Sequence, residues 1–375
     1  MIRLLVGTSL ITVALCCCDS AAAQGIQPKD AQSPNGYSFA EREVFYENHV
    51  AGIALAGSLT IPSTRFRVPA VVLVGNGVCD RDLSVGRHRT FRALAHHLAR
   101  CGVAVLRSDG RGVGKSQGKP WPANTKQDLA SDLRAALRCL RNQAGIDPNR
   151  VGIVGHSEGG TLATVVAANS RDVAFLVILG TPGLPGGDVL CDQISHIAPI
   201  FGVRESTTSD YVRLMNQAYN ILQQSVIPSG VRRNLETVFE TYDARTSKRD
   251  KESLRRSGYN VPDNSKDFAA SILLPWMKDF LIYDPRPALE QVRCPVLSLI
   301  GEKDLQVLAI ENSSAIRGAL LAGRNQDYTV SILEGLNHLL QTARTGSPAE
   351  YELIDETIAP LALTTVSAWI LKRTR

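Results

Sequence analysis

Residues 151–160 read Val151-Gly152-Ile153-Val154-Gly155-His156-Ser157-Glu158-Gly159-Gly160. An apolar run of the length of a buried parallel strand stops at Gly155, and Leu162, Val165 and Val166 then give the next segment an apolar helical face. Between them stands Gly-x-Ser-x-Gly, the spacing a serine needs on a strained strand-to-helix turn, where side chains at the flanking positions would strike neighbouring backbone. The turn puts Ser157 at a helix N-terminus. Unpaired amides and the positive end of the helix dipole favour negative charge there, and the backbone amide of Glu158 is one such donor. The stretch therefore predicts a nucleophilic serine within an alternating strand-helix fold.

Working outward, the alternation holds. Glu43 to Ile61 reads as an antiparallel pair ending at Pro62. Ala70–Val74 is a buried strand, Phe91, Leu94, Ala95 and Leu98 line a helix ended by Gly102, and Val103–Leu106 is the next strand. Thr125 with Asp128 forms a capping box ahead of Leu129, Leu133, Leu137 and Leu140, which recur at helical spacing until Gly145. Val173–Leu179, Val296–Ile300 and Tyr328–Leu333 supply further strands, with a closing helix from about Tyr351 to Lys372. This order predicts an α/β fold: a mainly parallel sheet with helices on both faces. Residues 186–285 interrupt it with helical patterns such as Val212, Met215, Ala218 and Leu222 and with a charged stretch, Lys248–Arg256, read as a solvated helix face. They predict a helical cap inserted between the two parts of the core, residues 41–185 and 286–375, above the sheet's C-terminal edge where it would wall a site.

At 375 residues, 44% hydrophobic and 21% charged, the chain buries a large core without help from disulfides or metals. The net charge of +5 is dispersed and no basic stripe is interleaved with aromatics, which argues against a nucleic-acid partner. Arg3, the apolar stretch Leu4–Cys18 and Ala21-Ala22-Ala23 have the three parts of a secretory signal, so residues 1–23 are expected to direct export to the periplasm or medium, with cleavage after Ala23. Retention as an anchor, or lipid attachment at Cys16, Cys17 or Cys18, are the alternatives; the mature chain has no membrane span. Residues 24–40 read as a flexible lead-in. Five cysteines then remain, Cys79, Cys101, Cys139, Cys191 and Cys294, an odd number at wide spacings with no metal motif. Cys101 and Cys139 fall on apolar helix sides, as small core residues do.

A serine hydroxyl needs a histidine to take its proton and an acid to orient that histidine. On this fold the order is serine, acid, histidine, each in a loop after a strand. Of seven histidines only His338, in Glu334-Gly335-Leu336-Asn337-His338, stands beyond the serine in such a loop. His196 falls in the cap, and His156, next to the serine, points away from it. Gly301-Glu302-Lys303-Asp304 closes the strand at 296–300, giving Asp304 as the acid and Glu302 as the reserve. The second oxyanion donor belongs to the loop after Val74, Gly75-Asn76-Gly77-Val78-Cys79-Asp80-Arg81-Asp82, with Asn76 first and Gly77 next. Gly112-Val113-Gly114-Lys115-Ser116 resembles a phosphate loop, but Asp109 occupies the position of its first glycine. In Gly75-Asn76-Gly77 the third glycine of a dinucleotide fingerprint is replaced by Asp80. No cofactor is implied. Asp109 and Arg111 are expected to pair with each other or with loop backbone.

With these residues assembled, the chain resembles bacterial α/β hydrolases of the EstD-type carboxylesterase group, related to the serine aminopeptidase S33-like hydrolases. The likeness runs from about Glu43 to the C-terminus. It rests on Gly75-Asn76-Gly77 with Asp80-Arg81-Asp82, on Arg107 to Ser116, on Gly155 to Gly160, and on Tyr283-Asp284-Pro285 with Gly301 to Val307. The resemblance implies the α/β hydrolase fold, a triad of Ser157, Asp304 and His338, and cofactor-free hydrolysis of a small-molecule ester. Relatives carry Gly-Ser-Gly-Pro in the oxyanion loop, so Asn76 and Val78 depart from the pattern. The same triad also serves aminopeptidases or amidases, thioesterases and acyltransferases, and the fold also carries catalytically silent binding proteins.

Overall fold

The computed structural model describes residues 36–224 and 228–375, so the expected signal segment and Cys16 to Cys18 lie outside the described residues. The elements run β1 (Phe39–Asn48), β2 (Ile53–Pro62), β3 (Val68–Val74), a short hairpin of β4 (Ser84–Val85) and β5 (His88–Arg89), α1 (Thr90–Arg100), β6 (Ala104–Ser108), α2 (Lys126–Arg141), β7 (Ile146–His156), α3 (Glu158–Ala168) and β8 (Leu176–Leu179). Helices α4 (Gly186–Ile197), α5 (Glu205–Gln224), α6 (Pro228–Asp243), α7 (Lys248–Arg256), α8 (Ser265–Ile272) and α9 (Pro275–Ile282) follow. The chain ends with α10 (Arg286–Leu289), β9 (Val296–Gly301), α11 (Ala309–Ala322), β10 (Tyr328–Leu333) and α12 (Pro360–Thr374).

Eight strands form one sheet in the order β1-β2-β6-β3-β7-β8-β9-β10. β1 and β2 are antiparallel, β2 meets β6 antiparallel, and all later neighbours are parallel. Apolar side chains of α2, α3 and α11 cover one face of the sheet, and those of α1 and α12 cover the other. The connection from β3 through α1 runs to β6 on one side, and the next, through α2, returns to β7 on the other. The strand order therefore reverses beside β3, which opens a crevice at the C-terminal ends of β3 and β7. Helices α4 to α9 close around an apolar core of their own that includes Ile194, Tyr211, Met215, Leu235, Phe239, Phe268 and Trp276.

Local signals account for many boundaries. Thr125 and Asp128 form the reciprocal capping box at the start of α2. β1 starts at Phe39, inside the stretch read as a lead-in, because Phe39 packs on His96 at 5.0 Å and under the Arg100 guanidinium at 5.4 Å. The closing helix starts at Pro360 rather than near Tyr351: Ser347 caps a separate 3-10 turn, Pro348–Leu353, and Ile354 is extended. The strand expected from Val173 begins only at Leu176. In α7 Lys248, Arg249, Glu252 and Arg256 face solvent as read, but Asp250 is buried, taking Arg204 at 2.6 Å and Thr207 at 2.9 Å. Cys101 is the residue that ends α1 and is half-buried; Cys139 packs half-buried on the sheet's core.

Two glycines give opposite expectations. A Cβ on Gly159 would lie 2.1 Å from the Val74 carbonyl oxygen, whereas one on Gly318, exposed within α11, meets nothing within 4 Å. Urea unfolding should show Gly159→Ala destabilised by about 1–3 kcal/mol through overpacking. Gly318→Ala should be stabilised by about 1 kcal/mol through helix propensity.

Candidate active site

The site is built where strands end in register. Val74 of β3 pairs with Gly155, and on the other side Gly155 and His156 pair with Ile178 and Leu179 of β8. Ser157 leaves the sheet between them with φ 55° and ψ −126°, a left-handed conformation costly for a serine. Two bonds hold it: its amide donates to the Leu179 carbonyl at 2.8 Å, and its carbonyl accepts the Gly160 amide at 3.0 Å. A Cβ on Gly155 would stand 2.5 Å from the Gly159 carbonyl, so the turn closes only with glycine on both sides. Glu158 is the first residue of α3, where no preceding helical carbonyl can take its amide.

Gly301 of β9 pairs with Leu333 of β10, and the loops after both leave the sheet side by side. Asp304 is buried; its Oδ1 accepts the amides of Gln306 at 2.9 Å and Val307 at 2.8 Å, and its Oδ2 lies 2.8 Å from Nδ1 of His338. The carboxylate accepts, so Nδ1 donates and Nε2 is the imidazole's free acceptor. That Nε2 is buried and has no hydrogen-bond partner. Glu302 is exposed and instead accepts the Gly335 amide at 2.8 Å, tying the two loops together. Gly180, at φ 53°, shows the convergence: a Cβ there would stand 3.2 Å from His338 Nδ1 and 3.3 Å from Asp304 Oδ2, one residue beyond the carbonyl that holds Ser157.

Two supports were not visible as such in the sequence. The His156 Nε2 donates to the His338 carbonyl at 2.9 Å and the two rings lie 4.7 Å apart. The Asn337 side-chain oxygen accepts the amides of Leu339 and Gln341, each at 3.0 Å, bracing the turn that carries His338. His196 stays on the exposed side of α4, bonded to the Asp192 carbonyl at 2.8 Å.

Beyond β3, the Asn76 side-chain oxygen accepts the Cys79 thiol at 2.6 Å, a bond within the loop. Gly159 abuts Gly75 as well as Val74, which sets the loop beside the start of α3. Gly77 rests against Leu129 of α2, and a cavity of about 70 Å³ lies behind the loop toward Leu129, Leu133 and Ala136. Asp109 and Arg111 do not pair with each other. Asp109 takes the Arg81 amide and Nε, each at 3.0 Å, and Nη2 at 2.5 Å, while Arg111 reaches Asp128 at 3.0 Å and Asp132 at 2.8 Å on α2. Arg111 stands inside the turn that follows Asp109, closed by the Val113 amide on the Gly110 carbonyl at 2.9 Å with Gly112 at φ 72°, and the two side chains go to different neighbours. Among the described residues no group of three or more His, Cys, Asp or Glu side chains could hold a metal ion.

Burial, reinforced by the neighbouring His338, pushes the His156 imidazole down to about 3. Below the ordinary histidine value the unfolded chain takes a proton that the folded chain refuses. Stability is therefore full above about pH 6.5 and falls as the pH drops toward about 3, by at most about 1.4 kcal/mol per pH unit for this one group. Urea midpoints measured from pH 7.5 to 4.5 should fall less steeply, by about one proton, in His156→Gln than in the parent.

Residues 70–343 match the family described as Serine aminopeptidase, S33. Esterase EstD of Thermotoga maritima is 25% identical over 315 residues, which cover 84% of this chain and 65% of that protein, so the chain spans less than two thirds of this relative's length. Hypothetical protein PA2218 from Pseudomonas aeruginosa superposes with a TM-score of 0.53 at 17% identity, over 94% of this chain and 99% of that one. The α/β hydrolase GrgF from Penicillium gives 0.53 at 17% identity, over 89% of this chain and 99% of its own. Those two likenesses show the fold. With strand order, switch-point crevice and family match in agreement, the chain belongs to the serine aminopeptidase S33 family of α/β hydrolases.

Proposed function

We propose that the chain is a serine carboxylesterase that cleaves small-molecule esters through an acyl-enzyme. The observation that carries this reading is the His338 imidazole: Asp304 occupies Nδ1, and Nε2 is buried with no partner. A buried acceptor left unpaired costs roughly 1–3 kcal/mol. The Ser157 hydroxyl is the donor that would complete it. In the reaction, Nε2 takes the hydroxyl proton as Oγ attacks the ester carbonyl, and the new oxyanion is held by the main-chain amides of Glu158 and of Asn76 or Gly77. His338 then returns the proton to the departing alkoxide. Water repeats the sequence on the acyl group and frees Ser157.

Each oxyanion donor contributes on the order of 3 kcal/mol to the transition state. Helices α4 to α9 act as the cap that walls the ester's side chains, and Esterase EstD supports an ester rather than an amide as substrate. The N-terminal segment, residues 1–23, supports export of the chain, and the N-terminal mass of protein recovered from the periplasm or medium tests that.

Purified Ser157→Ala should lose about 10⁴-fold or more in kcat on a short-chain p-nitrophenyl ester while keeping the parent's unfolding curve. Near-normal turnover in that variant, or failure of a fluorophosphonate probe to label Ser157 in the parent, overturns the assignment. Faster cleavage of aminoacyl amides than of esters in parallel assays would move the substrate class to peptides.

A further inference from the structure

Glu158 stands next to the nucleophile, and its carboxylate does not face open water. Nε1 of Trp276, on α9, donates to Oε1 at 2.8 Å and to Oε2 at 2.9 Å. Trp276 is buried, set edge-on to Trp121 at 5.1 Å and stacked on Phe280 at 5.5 Å. The rest of the same helix face also rests on the core. Asp279, three residues on, accepts the Lys126 amide at 3.1 Å at the start of α2, where helix geometry favours an anion. Tyr283, seven residues on, lies 4.4 Å below the Lys126 ammonium, and its carbonyl accepts the Gly186 amide at 3.1 Å. Positions 276, 279 and 280 share one face of α9 and Tyr283 follows at its end, so α9 docks as a unit with its indole on the elbow.

A carboxylate at the first position of a helix gains from the dipole while solvated, and burying it adds a desolvation cost. Burial pushes the Glu158 carboxyl above the usual carboxylate range, with Lys126 and the indole pulling it back and Asp279 adding to the rise. A negative charge one residue from a developing oxyanion also opposes catalysis unless it is held and compensated. The feature that accounts for its place is the contact itself. We propose that the Trp276 indole and the Glu158 carboxylate form a tether through which α9 positions the Glu158 main-chain amide for the oxyanion, making Trp276 a positioning residue for the reaction. This rests on the esterase reading above.

Trp276→Phe keeps a ring against Trp121 and Phe280 and deletes only the donor. It should lower kcat on the p-nitrophenyl ester about 10- to 100-fold, with KM within about threefold, as expected for a lost transition-state contact. Glu158→Gln keeps one acceptor oxygen and should recover about tenfold of what Glu158→Ala loses. Trp276→Phe combined with Glu158→Ala should be no slower than Glu158→Ala alone, because both remove one interaction. If Trp276→Phe fails to fold by circular dichroism, the Gln and Ala variants of Glu158 carry the comparison. Parental kcat in Trp276→Phe, a rise in KM alone, or additive losses in the double variant overturn the tether while the labelled, active parent leaves the esterase reading standing. A parent that neither cleaves esters nor takes the fluorophosphonate probe overturns that reading and the tether's catalytic role with it.

Discussion

Gly159 lies so close to the Val74 carbonyl that a single methyl group there would stand 2.1 Å from it, and this approach of α3 to the end of β3 organises the rest of the site. It forces the chain through a left-handed serine, at a cost of order 1–3 kcal/mol, and it sets the first turn of α3 beside the loop at Gly75. The strain persists because the residue is held twice, by the sheet through Leu179 and by the helix through Gly160. Relaxing the turn would break both bonds and pull α3 from the crevice where the strand order reverses.

The electrostatics follow from the same crowding. His338, Asp304 and His156 are all buried, so each polar atom needs a stated partner or a purpose. Asp304 has two main-chain donors and one imidazole, and His156 donates to the main chain of His338. One nitrogen, Nε2 of His338, is left without a partner, and it is the atom proposed to take the serine proton. A second charge near the site belongs to Glu158, and its compensation comes from segments distant in sequence, Lys126 and Trp276.

How much of this was legible follows from how local each signal is. The elbow, the capping box at Thr125, the strands at 296–300 and 328–333, and the preference for Asp304 over Glu302 depend on spacing within a few residues, and such spacing is written in one segment. The proposal of His338 as the base rests on chain order within a known architecture. Partners across the fold were not legible: Arg81 with Asp109, Arg111 with Asp132, and Trp276 with Glu158 join segments 28, 21 and 118 residues apart. Asp109 and Arg111 stand two apart in sequence, which suggests a pair, yet Arg111 lies inside the turn from Gly110 to Val113 and reaches α2 instead. The start of α12 was misplaced because Tyr351 and Leu353 continue an apolar pattern that Pro360, an N-terminal helix signal, in fact restarts.

The two segments proposed to hold the oxyanion pose different positioning problems, and the chain answers them differently. The Glu158 amide is one peptide from Ser157, and its placement needs only the elbow's geometry and whatever steadies the first turn of α3. The loop at Gly75 to Asp82 has glycines that let it approach a substrate and also leave it free to drift. Its anchors come from β6 and the segment after it: Arg107, fully buried, joins Glu41 and Asp82, and Asp109 grips Arg81 at three atoms. Burying a guanidinium is costly unless carboxylates meet it, and here two do. These charges therefore hold in place a flexible loop that has little apolar side chain of its own to bury.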